Sequence, residues 1–141
     1  MTYATQQNMI DRFGESELIE LTDRGGNDVI DVAVLSLALV DADATINGYL
    51  AARYTLPLAN PVPEMLERFA CDIARYALYD DEVKEAIETR YKDAIAYLRD
   101  VSTGKADLGV SDTSNKPAST ATAQMSSTTP VFRREDSRGF I

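Results

Sequence analysis

Residues 28–53 read DVIDVAVLSLALVDADATINGYLAAR, and they form the longest segment with a helical pattern. Apolar side chains recur there every three or four positions, which predicts one long helix. We expect an N-cap at Asn27 or Asp28 and an end near Arg53. The recurring side chains are Leu35, Leu39, Ala42, Ile46, Tyr49 and Leu50.

The first half of this segment is apolar on almost every side. Between Val29 and Val40 only Asp31 and Ser36 are polar. A helix of this kind is either central in its own domain or covered by another chain. The β-branched residues also allow a buried strand from Val29 to Val34, but the pattern continues beyond strand length and favours a helix.

The flanking segments predict further helices, and three prolines between Leu56 and Pro63 exclude helix there. These helices run from a cap at Thr5 to Phe13, from Glu15 to Leu21, from Glu64 to Tyr79, and from a cap at Asp80 or Asp81 to Thr103. Their inward stripes are Leu66, Phe69, Ala70, Ile73 and Ala77, and Val83, Ile87, Tyr91, Ala94, Leu98 and Val101. We therefore predict an all-α fold: a small bundle of about five helices in residues 1–104, followed by an extended C-terminal tail.

The charge of the chain is acidic, with 14 Lys and Arg against 23 Asp and Glu, or −9 in total. Residues 1–103 carry 9 basic and 19 acidic side chains, and residues 104–141 carry 5 and 4. Affinity for nucleic acid comes mainly from Lys and Arg, so we expect the body to be repelled by DNA. The tail carries too few positive charges for its length to reverse this repulsion.

The chain lacks the side chains that most enzymes and metal sites require. It has no histidine and one cysteine, Cys71, which we interpret as a core thiol. Asp23 to Asp31 differs from a calcium loop, because Arg24 and Gly25 occupy ligand positions. We predict no catalytic residues, metal or cofactor. The N-terminus does not have the pattern of a signal peptide, and Val32–Val40 is too short to cross a bilayer, so we expect no membrane contact.

The last third of the chain changes in composition. Residues 111–130 contain ten Ser or Thr and one large apolar side chain, Met125, so they cannot form a core. We predict a Ser/Thr-rich linker at 105–130 and a docking peptide at 131–141, where aromatic and arginine side chains return. Counted from Gly104 to Pro130, the linker spans at most roughly 90 Å. The alternative is a solvated terminus with chance aromatics.

Several segments together resemble one family. They include Ala4–Gly14, Glu17–Asp23, Ile46–Leu58, Cys71–Asp81, Arg90-Tyr91, Leu98–Val101, and the ending in which Pro130-Val131-Phe132 precedes Arg138-Gly139-Phe140. This pattern is similar to the Mu-like phage neck protein family. The resemblance covers nearly the whole chain apart from the linker.

The resemblance implies a head–tail connector, also called an adaptor or head-completion protein. Such proteins are helical structural proteins of the virion neck, which form a ring with the portal's twelvefold symmetry beneath the portal protein. The implied partners are other copies of the chain, the portal, and a tail-terminator or other neck protein, with DNA as a non-specific passenger. The family has no recognised catalytic residues.

Two sets of side chains are candidate contacts in such an assembly. In the tail they are Val131, Phe132, Arg133, Arg134, Arg138 and Phe140, whose aromatics would fill pockets and whose arginines would pair with an acidic surface. For the contact between neighbouring subunits they are Tyr49, Arg53 and Tyr54, which end the long helix; the alternative for these three is an ordinary place at the edge of the core. A rival interpretation of the whole chain is an acidic regulatory protein, such as a DNA mimic that binds a basic nucleic-acid enzyme.

Overall fold

The computed structural model describes residues 1–110, which form five α-helices and, over this range, no β-strand. The all-α prediction is confirmed. The helices are α1 (Gln6–Phe13), α2 (Glu15–Thr22), α3 (Val32–Leu50), α4 (Glu64–Leu78) and α5 (Glu85–Thr103).

Helix α3 is central, as its pattern predicted. It packs against both α4 and α5, and it also contacts the α1–α2 pair. The predicted inward residues Leu35, Leu39, Ala42, Ile46 and Leu50 are all buried. They meet Leu66, Phe69, Ala70 and Ile73 of α4 and Ala94, Leu98 and Val101 of α5. The core is therefore built on one side of α3.

Two short helices cover one end of this core. Thr5 begins α1 with a capping box: its hydroxyl accepts the Asn8 N–H, and the Asn8 side chain accepts the Thr5 N–H. Gly14 ends α1 at a φ of +87°, a conformation that favours glycine. Arg75 of α4 then holds α2 through two hydrogen bonds to the Glu17 carboxylate, at 2.7 and 2.9 Å.

The start of α3 differs from the prediction. Asp31, and not Asn27 or Asp28, is the N-cap, and its carboxylate accepts the N–H groups of Ala33 and Val34 at 2.9 and 3.3 Å. The buried Thr22 hydroxyl accepts the Asp31 N–H and so fixes this position. Val29 and Ile30 precede the helix, while Val32 to Val34 are helical, so the strand alternative is wrong.

The start of α5 also differs. The predicted caps Asp80 and Asp81 lie outside the helix, which begins at Glu85 after Lys84. Asp80 instead pairs with Arg24 at 3.2 Å. At the end of α4, Ala77, which was predicted to face inward, is exposed, and its neighbour Leu78 is buried instead. The helix ends at Leu78, one residue before the predicted end.

Two polar groups of α4 lie inside the bundle. Cys71 is fully buried, as predicted, and burial raises the pKa of its thiol to about 11. Asp72 is also buried; burial raises the pKa of its carboxyl, and the positive charges of Arg90, Arg68, Arg75 and Arg12 oppose the shift.

The cap assignment can be tested with a matched pair of variants. Asp31→Ala removes both hydrogen bonds to the first turn of α3, so we expect the free energy of unfolding to fall by about 1 kcal/mol. Asp81→Ala removes a carboxylate that caps no helix, and it should change stability by less than about 0.5 kcal/mol. Urea unfolding of the full chain measures both. Equal losses in the two variants would contradict the assignment.

Asp72 makes stability depend on pH in a defined direction. The folded state holds the Asp72 proton more tightly than the unfolded state, so its contribution is most favourable below the ordinary pKa of 3.8 and is lost as pH rises through the raised value. We expect the stability of Asp72→Asn relative to the natural chain to increase over that window and then level off. Urea unfolding at a series of pH values measures the difference, and a relative stability that falls with pH would contradict this account.

Candidate assembly surface

Helix α3 carries a second apolar surface on the side that faces away from the core. We call it the α3 outer face and define it as Val32, Ala33, Leu37 and Val40 of the helix, together with Val29, which precedes the helix. The side chains of Val29, Val32, Leu37 and Val40 are 58%, 55%, 63% and 60% exposed. Ser36 lies among them, but its hydroxyl donates to the Val32 carbonyl at 2.6 Å and is thereby satisfied within the helix. The surface is therefore apolar in character.

Exposure of these side chains has an energetic consequence. Full burial of a large aliphatic side chain stabilises a protein by roughly 1.5–3 kcal/mol, and these are already partly covered. Burial of the remainder would contribute about 1–2 kcal/mol for each of the four large residues. Exposed apolar side chains of this number make the face a candidate site of interaction with another macromolecule.

The electrostatic setting of the face is acidic. From Gly25 to Ala52 the sequence contains no Lys or Arg, and Asp28, Asp31 and Asp41 are close to the apolar residues in sequence. Leu37 and Asp41 also line a groove of about 90 Å³, whose other side is formed by Ala77 at the end of α4. Arg24 lines the same groove, but it is paired with Asp80. The face therefore suits a partner that combines apolar and basic groups.

Helix α3 also meets the length and composition that a membrane-crossing helix needs. One such helix is weak evidence, because core helices of water-soluble proteins pass the same test. Here the inner side of α3 packs on α4 and α5, and Asp41 and Asp43 lie within the same segment. Carboxylates are costly inside a bilayer. These features favour a protein partner over a lipid one.

The structure places the three predicted contact residues at the other end of α3. Tyr54 is 5% exposed and belongs to the core, and Tyr49 is half-buried against it. The Arg53 guanidinium donates to the Ala106 carbonyl at 2.7 Å and to the Asp107 carboxylate at 3.1 Å. Arg53 and Tyr54 are therefore engaged within the chain, and contact of these three residues with a neighbouring subunit stays a prediction.

These contacts hold the segment that follows α5, which we call the exit segment (residues 106–110). The Leu108 N–H donates to the Tyr54 hydroxyl at 3.4 Å, and the Tyr97 hydroxyl donates to the Asp107 carbonyl at 3.1 Å. Ala106, Leu108 and Val110 pack against the core. The sequence assigned this segment to the linker, but its apolar side chains attach it to the body as far as Val110.

The exit segment also forms one wall of a groove of about 520 Å³. Its opposite wall is the proline-containing loop of residues 59–64. The chain thus leaves the body beside this groove, near the C-terminal end of α3. The predicted tail contacts lie outside the described residues; they are Val131, Phe132, Arg133, Arg134, Arg138 and Phe140.

The sequence indicated that this helix could be covered by another chain, but Tyr49, Arg53 and Tyr54 were chosen as its contacts and the residues of the α3 outer face were not. The signal was present, because the helix is apolar nearly all round and the inward stripe uses only one side of it. Once Leu35, Leu39 and Ala42 are assigned to the core, Ala33, Leu37 and Val40 remain at helical spacing on another side.

The fold and this surface define a small all-α protein with an exposed apolar helix face. The sequence profile of the family described as "Bacteriophage Mu, Gp36" matches residues 3–127. The chain is 39% identical over 143 residues to gene product J of Escherichia phage Mu, with 100% of each chain covered. It is 37% identical to the Mu-like prophage FluMu protein gp36 of Haemophilus influenzae, covering 99% of this chain and 98% of that one.

The chain belongs to the phage Mu Gp36 family, and it is a phage protein. The resemblance to Mu-like phage proteins in the sequence is thereby confirmed. The match extends across the described body and into the region beyond Val110.

The role of Arg53 in holding the exit segment can be tested by substitution. Arg53→Met keeps much of the apolar stem but removes the donors to two carbonyls and a carboxylate. We expect a loss of about 1–3 kcal/mol in the free energy of unfolding, together with faster proteolysis after residue 104. Arg99→Met, an exposed change on α5, should alter stability by less than about 0.5 kcal/mol. An exit segment that remains protected in Arg53→Met would contradict this role.

Proposed function

We propose that the protein is a structural component of the virion: a connector that forms a ring between the portal vertex of the capsid and the tail, with a channel for DNA. The α3 outer face is the observation that carries this proposal. It offers four large aliphatic side chains to a partner, in a chain that belongs to a phage protein family. In the particle, the connector would be located in the neck.

A ring would account for the apolar side of α3 that the bundle leaves exposed. Each subunit of a ring uses two different surfaces, one for each neighbour. In α3, one side builds the core with α4 and α5, and the outer face is available to a neighbouring subunit. A small domain gains stability from such a contact, since its own core is limited.

The charge of the body supports a channel through which DNA passes without adhering. Residues 1–110 carry 10 basic and 20 acidic side chains. Several of the basic groups are used in internal ion pairs, among them Arg12 with Glu67, Arg53 with Asp107, and Arg75 with Glu17. Few positive charges remain to hold phosphates, so DNA would slide past an acidic wall.

The proposal is tested by a charged substitution on the outer face. Leu37→Asp places a carboxylate where the proposed contact excludes water. We expect at least a tenfold drop in tailed particles when this variant replaces the natural protein in phage-infected cells, because loss of one buried leucine contact of about 1.4 kcal/mol is a factor of ten. Electron microscopy counts heads with and without tails.

The matched control is Ala96→Asp, which adds the same charge at an exposed position of α5. It should leave the count of tailed particles within about twofold of the natural protein. Normal tailing with Leu37→Asp would contradict the proposal. So would a purified chain that remains a monomer or dimer in the presence of portal-containing heads and displaces DNA from a basic enzyme, which is the behaviour of a DNA mimic.

A further inference from the structure

We propose that the α3 outer face of one copy is covered by the C-terminal peptide, residues 131–141, of an adjacent copy. This inference rests on the proposed function, since it requires that copies of the chain assemble side by side. The peptide is thus the proposed partner of the outer face.

The shape of the face suits short apolar side chains from an extended peptide. Leu37 and Val40 lie one turn apart and are more than half exposed. Beside Leu37, the groove of about 90 Å³ between α3 and the end of α4 offers a recess for part of a ring. The Ser36 hydroxyl is already bonded to the Val32 carbonyl, so covering it leaves no new unsatisfied donor.

The chemistry of the peptide complements that of the face. Residues 131–141 read VFRREDSRGFI, with an apolar pair at each end and three arginines between them. The outer face is apolar, Asp41 lines the groove beside Leu37, and α3 carries no Lys or Arg to repel the arginines. Arg24, which lines the same groove, forms an exposed ion pair with Asp80 at 3.2 Å. Arginine with aromatic side chains is the composition that dominates binding energy at protein interfaces.

Two other described grooves fit the peptide less well. One is lined by Ser16, Ile19, Glu20, Asp23 and Asp28, and it offers a single large apolar side chain. The other lies between residues 59–64 and the exit segment, and Glu64 is its one carboxylate. Three arginines would find a single partner there.

The length of the chain beyond Val110 reaches the outer face of the same copy or of an adjacent one, and the proposed ring of neighbouring copies favours the adjacent one. Twenty residues separate Val110 from Val131, and they can span at most roughly 70 Å. Helix α3 has 19 residues and is about 28 Å long, so a return to the outer face of the same copy needs less than half of that span. A peptide with this reach can cross from one subunit to the next. Because the peptide stays attached to its own subunit, its contact raises the avidity between the two copies without enlarging the contact between their bodies.

The test is disulfide trapping in the full chain, with Leu37→Cys and Phe132→Cys combined. The natural Cys71 is buried and stays unchanged. The variant is assembled in phage-infected cells, oxidised, blocked with a maleimide, and analysed on a non-reducing gel with mass spectrometry of the linked peptides. Ala96→Cys with Phe132→Cys is the matched control, since it places the first thiol at an exposed position on α5. The pair Val40→Cys with Phe140→Cys repeats the test if the first variant fails to assemble.

We expect a ladder of covalently linked copies, with at least tenfold more linkage between α3 and tail than in the control. A faster-migrating monomer with an internal link would overturn the assignment to an adjacent copy. Linkage no greater than in the control would overturn the inference entirely. A tail that binds the portal instead would give this result. If Leu37→Asp still prevents tailing in that case, the proposed function stands and only the occupant of the face is wrong.

Discussion

The structure depends on one constraint: α3 is apolar on two sides, and a bundle of this size can cover only one of them. Leu35, Leu39, Ala42 and Ile46 build the core against α4 and α5. Leu37 and Val40, on the opposite side, stay more than half exposed. Exposed aliphatic surface is unfavourable in water, so this arrangement is expected of a chain that buries the surface against a partner. Because the chain belongs to a phage protein family, such a partner is to be sought in the phage.

The second feature is the way in which the chain leaves the bundle. Arg53, Tyr54 and Tyr97 hold the exit segment at the C-terminal end of α3, while the outer face lies toward its N-terminal end. The described body therefore has an exposed apolar surface toward one end of α3 and the packed exit segment toward the other.

The sequence predicted the helices and the core because periodicity records which side chains face inward. It predicted helix ends less well. Asn27, Asp28, Asp80 and Asp81 all have the chemistry of a cap, and the choice of Asp31 was made by the buried Thr22 hydroxyl, which is distant in sequence. The candidate site was harder still. Arg53 and Tyr54 have the size and polarity of interface residues, but Asp107 and Ala106 engage them within the chain, and only tertiary structure brings those groups together.

The proposed connector requires an α3 outer face that is open in the free chain and covered in the particle. Thiol labelling of a Leu37→Cys variant measures this directly, with Cys71 as an internal reference whose burial and pKa of about 11 make it unreactive. We expect rapid labelling of the Leu37→Cys thiol in the purified chain and strong protection in assembled particles. Equal labelling rates in the two states would contradict it.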